Sequence, residues 1–239
     1  MEIRGERECT ECGTRWSYYT TGEVSCPECG SLKSVGREER ALHTDSPVEL
    51  DLTTGEELLD QPLSELATEI RERCRSYVRQ RGFVNGGTLR TLDDDYLIAQ
   101  ELITALGAYE RSLSSGALDS DVDDVEQLYL LELLDRERPP PSAVPESLAS
   151  ERGLAYATAA STYREDVVSL LDTREESLPP VRRALGRLDD HVRRVEALDG
   201  DIEPRTAESL VEIARDLGRA VDGDETALAR TSKRLDELG

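Results

Sequence analysis

The chain has 239 residues, of which 37% are hydrophobic and 4% aromatic, so its core must come mainly from Leu, Val and Ala. Its 51 acidic and 29 basic residues give a formal net charge of −22, which argues against a surface built to hold nucleic-acid phosphates. No run of about 18 apolar residues could span a membrane, and residues 1–7 lack the apolar stretch of a secretory signal. We therefore expect a cytoplasmic protein whose thiols stay reduced.

Four of the five cysteines form two Cys-x-x-Cys pairs near the N-terminus. Cys9 pairs with Cys12 and Cys26 with Cys29; 13 residues separate the pairs, and a glycine follows each. Four thiolates at this spacing can surround one Zn²⁺ tetrahedrally and leave no open coordination position. The sequence therefore predicts one structural Zn²⁺ on these cysteines. The alternatives are iron on the same thiolates, loose redox thiols, or two disulfides.

Residues 1–40 predict a small β zinc ribbon. The β-favourable stretch 14–19 follows the first cysteine pair, a turn follows at 20–23, and 32–35 can return as a third strand. We expect Trp16 and its aromatic neighbours to pack over the cysteines with their polar tips solvated; a base-stacking surface is the alternative. A domain of about 40 residues rarely folds without a disulfide or a metal, so the bound metal would supply folding free energy to the ribbon.

The two cysteine pairs resemble the zinc ribbon at the N-terminus of transcription factor IIB-type proteins, over about a sixth of the chain. The resemblance implies that Cys9, Cys12, Cys26 and Cys29 are metal ligands and that the protein is linked to transcription. The acidic, Lys-poor composition resembles proteins of salt-accumulating haloarchaea. The whole chain resembles an uncharacterised haloarchaeal family that carries such a ribbon ahead of a helical region. The glycine-closed pairs are also similar to those of rubredoxin, an iron electron carrier.

Beyond the ribbon we predict a linker over 41–60, with a short strand near 48–52, and a helical region over 61–239. A run of three prolines suggests a subdivision of that region at 139–145. Apolar residues recur every three or four positions in seven stretches, near 61–81, 92–116, 120–138, 147–174, 177–199, 204–221 and 224–238. Short connections imply antiparallel neighbours. The predicted fold class is mainly α: a small N-terminal β zinc ribbon, then an all-α bundle or helical-hairpin region.

The remaining chemistry-bearing residues favour structural interpretations. Cys74 falls on the apolar seam of a predicted helix, so we expect it to be a small buried hydrophobic residue. The alternative is a reactive thiol activated by nearby arginines. Two arginine-rich segments, 71–81 and 182–194, are typical of charges paired along helices; an anion-binding surface is the alternative. We expect His43 and His191 to be solvated or to cap helices. The three aspartates at 93–95 are interpreted as a solvated helix start. The sequence predicts no catalytic or cofactor-binding residue.

These features predict a non-enzymatic zinc-ribbon interaction protein, an adaptor that binds a protein partner and is linked to transcription. A nucleic-acid-binding zinc-ribbon protein is the first alternative, and a rubredoxin-like electron carrier is the second. Neither the ribbon nor the helical region is basic, and phosphate contacts lose affinity steeply with salt. A protein partner is therefore favoured over nucleic acid, no membrane association is expected, and the sequence leaves the oligomeric state open.

Overall fold

A small β region at the N-terminus precedes seven longer helices in the described part of the chain, as predicted. The structure is a computed structural model that describes residues 1–53, 63–114, 124–174 and 178–238. The N-terminal elements are β1 (Glu2–Ile3), β2 (Glu6–Cys9), β3 (Arg15–Ser17), α1 (Tyr18–Thr21), β4 (Ser34–Gly36) and β5 (Ala41–Leu42). The elements that follow are α2 (Leu63–Gln80), β6 (Val84–Asn85), β7 (Thr88–Leu89), α3 (Asp94–Ser114), α4 (Asp124–Leu134), α5 (Ala149–Thr173), α6 (Pro179–Ala197), α7 (Pro204–Val221) and α8 (Glu225–Glu237).

The ribbon is a three-stranded antiparallel sheet in the order β3-β2-β4. Arg7 on the central strand lies opposite Trp16 on one side and Gly36 on the other. The predicted return strand is present, shifted to Ser34–Gly36. The predicted extended run at 14–19 ends earlier, at Ser17, because the chain then closes into the single turn of α1.

Local signals in the sequence account for the helices after the prolines. α6 and α7 each begin with proline in the first turn, where the missing N–H costs nothing. Asp224 caps α8 by accepting from the backbone N–H groups of Thr226 and Ala227. The predicted seam of α6 is buried in full: Val181, Leu185, Leu188, Val192 and Val195. Three predicted starts, at positions 62, 120 and 177, and one predicted end, at 116, lie outside the described residues.

The sequence pattern of α4 predicts a buried seam of Val122, Val125, Leu128, Tyr129 and Leu133, of which Tyr129 and Leu133 are buried and Val122 lies outside the described residues. Tyr129, Leu130 and Leu133 point into the core, whereas Val125 and Leu128 are more than half exposed. Apolar residues occur all around this helix, so spacing alone could not select its inner face. The predicted seam is therefore wrong at Val125 and Leu128.

The helical core is built around α5, the longest helix among the described residues, which packs against α3, α6 and α7. One hydrophobic cluster runs from Leu42 to Leu235 and includes residues on both sides of the prolines at 139–141. Phe83 lies near its centre, with its ring 4.8 Å from that of Tyr96 and 4.9 Å from that of Tyr163. None of the helices described is both long and apolar enough to cross a lipid bilayer.

The first part of the predicted linker is hydrogen-bonded to both halves of the protein. β5 pairs with β1 of the ribbon. On the other side, Gly87 N donates to Leu42 O at 2.8 Å and Thr44 N donates to Val84 O at 2.9 Å. Leu50 and Leu52 are then buried in the helical core without forming the predicted strand. The rest of the predicted linker, 54–60, lies outside the described residues, and the domain limits stay a prediction.

Candidate metal centre

Two backbone turns of the same form hold the ribbon cysteines. In the first, Gly13 N donates to Cys9 O at 3.0 Å; in the second, Gly30 N donates to Cys26 O at 2.9 Å. Both glycines have a positive φ, 77° and 72°, which glycine adopts at little cost because it has no Cβ. The glycine after each cysteine pair therefore has a structural reason: it closes the turn that carries the pair.

The two turns bring four sulfur atoms together. The Sγ atoms of Cys9 and Cys29 are 3.6 Å apart, as are those of Cys12 and Cys26. All four lie within 4.8 Å of one another. Tetrahedral Zn²⁺, with Zn–S bonds of about 2.3 Å, separates its sulfurs by about 3.8 Å, whereas a disulfide needs about 2.0 Å. The backbone N–H of Glu11 also donates to Cys9 Sγ at 3.4 Å, a contact that favours a thiolate. The arrangement fits one metal ion and contains no disulfide.

The exposed thiols differ in acidity. The Thr14 hydroxyl lies 3.2 Å from Cys12 Sγ and is the main cause that lowers the pKa of Cys12 to about 6. The backbone of Ser31 acts in the same direction on Cys29, but the hydrogen bond with Cys12, desolvation and the other thiols together raise the pKa of Cys29 to about 12. With so high a pKa, Cys29 is a thiolate at neutral pH only where a cation such as a bound metal holds it in that form.

Trp16 packs against the cysteines, as expected. Its side chain is 6% exposed and forms a small buried cluster with Cys9 and Cys26. The expectation of a solvated polar tip is wrong for this residue, because its indole Nε1 donates to Glu23 O at 2.9 Å. Since the ring is enclosed, Trp16 offers no face on which a nucleic-acid base could stack.

His43 lies at the junction between the ribbon and the helical region. It is 8% exposed, its ring centroid is 5.9 Å from that of Tyr18 and 4.9 Å from that of Tyr19, and its Nδ1 accepts from Gly86 N at 3.3 Å. Nearby, Asn85 Nδ2 donates to Tyr19 O at 3.2 Å. The expectation of a solvated or capping His43 is therefore wrong. Its partners are distant in the sequence, so no local pattern could have indicated this junction.

This junction predicts a pH dependence of stability. Burial is the main cause that lowers the pKa of His43 from its usual value near 6.5. Below about pH 6.5 the imidazole of the unfolded chain binds a proton. In the native state Nδ1 accepts a hydrogen bond and is protonated less readily. The free energy of unfolding should therefore fall as the pH decreases. Urea unfolding at pH values of about 7.5 and 5.5 should show a smaller decrease for His43→Gln than for the natural chain. The pKa of His191 is also lowered, so His191→Gln should remove a separate part of the decrease in stability at low pH. Equal decreases in the natural chain and His43→Gln would contradict the assignment.

Cys74 is a buried structural residue. It is fully enclosed on the inner face of α2, and burial raises the pKa of its thiol to about 12. A neutral thiol out of solvent contact is a poor nucleophile and a poor metal ligand. The interpretation as a small hydrophobe is confirmed.

The arginine-rich segments mostly bind carboxylates of the same chain. In the first segment, the partners are Arg71 with Glu110, Arg73 with Glu69, Arg75 with Glu72, and Arg81 with both Asp45 and Asp93. In the second, they are Arg182 with Asp172, Arg187 with Asp236, and Arg193 with Asp189. These ion pairs favour the structural interpretation of both segments over an anion-binding surface.

The three aspartates at 93–95 begin α3 but are not simply solvated. Asp93 Oδ1 accepts from the backbone N–H of Tyr96 and thereby caps the helix. All three carboxylates also bind arginines: Asp93 with Arg81, Asp94 with Arg138 and Arg215, and Asp95 with Arg136. The helix start is confirmed. Its carboxylates are partly solvated, with the Asp94 side chain 57% exposed, but arginines from three other segments also bind them.

A buried charged pair, Glu101 and Arg152, was missed by the sequence reasoning. Both side chains are almost fully enclosed, at 1% and 0% exposure, with Arg152 Nε 3.8 Å from Glu101 Oε1. The guanidinium lies 4.8 Å from the ring centroid of Tyr156 and donates to Pro139 O at 2.9 Å. The hydroxyl of Tyr129 contacts the carboxylate. Because no solvent reaches either charge, we assign the pair a structural role. Its only sequence signal is a carboxylate inside the apolar run of α3.

Comparison with known proteins places the chain in a family. No curated protein and no solved structure matches it. A family model described as a family of unknown function, DUF7117, matches residues 1–235, which includes the ribbon and nearly the whole helical region. The chain therefore belongs to the DUF7117 family.

Proposed function

We propose that this chain is a non-enzymatic, cytoplasmic adaptor, in which a zinc-stabilised ribbon on a helical body binds a protein partner. The observation that carries the proposal is the closed group of four sulfur atoms from Cys9, Cys12, Cys26 and Cys29. Four protein ligands leave a tetrahedral metal no position for substrate, so it would stabilise rather than catalyse. In small zinc domains such a metal contributes about 10–16 kcal/mol of folding free energy.

Elemental analysis tests the metal. We expect one Zn²⁺ per chain in protein purified without added metal, and a colourless solution, since Zn²⁺ has no visible absorption. Cys12→Ser should lose the metal, whereas Cys74→Ala, which alters the one cysteine outside the cluster, should retain it. Iron with visible absorption would instead support an electron carrier. Four free thiols without metal would contradict both readings.

A protein partner is supported by apolar side chains exposed on the ribbon. Leu32 is 73% exposed, and Val24 and Val35 are each about half exposed. The test is affinity capture at native salt with three proteins: the natural chain, a variant that combines Leu32→Ser with Val35→Ser, and Leu128→Ser. Leu128 is the control because it is also exposed, at 59%, but lies on α4. The partner should be lost only from the ribbon variant. Retention by all three proteins would contradict ribbon docking. The suggested link to transcription rests on the resemblance of the ribbon alone.

Nucleic-acid binding is the less favoured function. Its supporting features were the ribbon aromatics and the arginine segments, but Trp16 is enclosed and most of those arginines bind carboxylates. The net charge of −22 also repels phosphate. Tight binding of generic DNA or RNA at native salt would reverse this choice.

The acidic composition supports the further proposal that the protein is halophilic. At molar salt the Debye length is about 3 Å, so repulsion among the 51 carboxylates is screened. Salt also weakens the surface ion pairs, but each of those contributes only about 0–1 kcal/mol. We expect the melting temperature to rise from about 0.1 M to molar KCl. A flat or falling profile would contradict salt adaptation.

A further inference from the structure

A cleft of about 240 Å³ opens where α6, α7 and the end of α8 meet. The connector between α6 and α7 forms one wall. The floor is aliphatic and consists of Val195, Leu198, Ile202, Leu210 and Leu238. Leu198 is 47% exposed, so apolar surface remains uncovered at this place. This volume is below the roughly 300–1,000 Å³ of pockets that hold drug-sized ligands, so the cleft suits a smaller molecule.

The connector that forms the cleft has a fixed backbone. Gly200 has a φ of 79° and donates its N–H to Val195 O at 2.9 Å. The carbonyl oxygen of Gly200 lies so close to Gly153 on α5 that a Cβ atom at position 153 would overlap with it. The preceding residue, Asp199, also has a positive φ, 50°, which is uncommon for a residue with a side chain. Such strain persists only where the surroundings enforce it, and the close packing against α5 holds the connector in this conformation.

Two opposite charges without ion-pair partners line this cleft. Arg194 lies on α6, and Glu203 lies just before α7. Neither forms an ion pair with any charged group of the described residues, in contrast to most arginines of this protein. The Glu203 side chain does not cap α7 either, so its carboxylate stays available. His191, also in the lining, is biased toward its neutral form, because burial lowers its pKa. The cleft therefore offers one cation and one anion beside an aliphatic floor.

We propose that this cleft binds a free α-amino acid with an aliphatic side chain of the size of valine, leucine or isoleucine. The side chain lies on the aliphatic floor, the carboxylate binds Arg194, and the ammonium group binds Glu203. A fatty acid would leave Glu203 without a partner, and an internal residue of a peptide carries neither backbone charge. This site lies on the helical body and does not depend on the proposed role of the ribbon.

Isothermal titration calorimetry on the full chain with L-leucine tests the proposal. Three analogues separate the contributions: 4-methylpentanoate lacks the ammonium group, 3-methylbutylamine lacks the carboxylate, and N-acetyl-leucine amide lacks both charges. We expect leucine to bind at least about tenfold more tightly than each of them, since a lost charged hydrogen bond costs about that factor or more. The absence of leucine binding would overturn the proposal. Equal binding of N-acetyl-leucine amide would also overturn it, by indicating an apolar crevice or a peptide site.

Substitutions locate the binding in the cleft. Arg194→Gln and Glu203→Gln should each weaken leucine binding at least about tenfold. Arg193→Gln is the matched control, because Arg193 is the adjacent exposed arginine of α6 and binds Asp189 outside the cleft. All three side chains are on the surface, so circular dichroism should show an unchanged fold. Equal losses in Arg193→Gln and Arg194→Gln would show a non-specific effect of charge and overturn the assignment.

Discussion

Cys26→Ser should abolish metal binding and unfold the ribbon while leaving most of the helical signal. Cys26 is buried beside Cys9 and Trp16, so the substitution removes a ligand and puts a hydroxyl into the small cluster that encloses the metal site. The ribbon has little other core, so it should lose most of the about 10–16 kcal/mol that structural zinc contributes. Metal content, Trp16 fluorescence and far-UV circular dichroism would follow the three changes separately.

Cys74→Ala is the control for Cys26→Ser. Cys74→Ala changes a buried cysteine of α2 and should retain both the metal and the native Trp16 fluorescence. If Cys26→Ser abolished the helical signal as well, the ribbon and the helices would unfold as one cooperative unit. The hydrogen bonds of Leu42 and Thr44 to the β6–β7 hairpin are the physical route for such coupling.

Arg152→Met should destabilise the helical core by about 3–5 kcal/mol, the cost of leaving a buried charge without its partner. Glu101 would then remain enclosed without its ion-pair partner, and burial already raises its pKa. A carboxyl with a raised native pKa binds a proton more readily in the native state than in the unfolded state. The stability of the variant should therefore fall as the pH rises through the normal carboxyl range. Urea unfolding at pH values of about 5 and 8 would measure the difference.

A second substitution identifies the cause of that loss. Arg152→Met combined with Glu101→Gln removes both charges, and we expect it to recover much of the stability, because replacing a buried ion pair as a unit is often close to neutral. Arg193→Met, which alters an exposed arginine, should change stability by less than about 1 kcal/mol. If the double variant were as unstable as Arg152→Met, lost packing rather than unpaired charge would be the cause.

The sequence predicted best those features that depend on neighbouring residues. The cysteine pairs with their glycines and the apolar seam of α6 are encoded within a few turns of chain, and each has the predicted form. The fold class followed from the same local patterns.

The features that were missed depend on contacts between distant residues. The His43–Gly86 hydrogen bond joins positions 43 residues apart, and nothing near His43 indicates it. Glu101 and Arg152 lie on different helices, 51 positions apart, so neither segment alone indicates their pairing. In α4, apolar residues on every side left the choice of inner face to the packing of its neighbours.

The pairing of β1 with β5 has a consequence for the evolution and handling of the ribbon as a transferable module. A fragment ending at residue 40 would lack β5 and leave β1 without its partner strand. The remaining body would keep Leu42, Leu50 and Leu52 but lose the ribbon that lies against the first of them. Recombination at this border would thus produce one piece with an unpaired strand and one piece with a partly uncovered surface. We expect the ribbon and helices to be inherited together, with exchange confined to the exposed loops of either part.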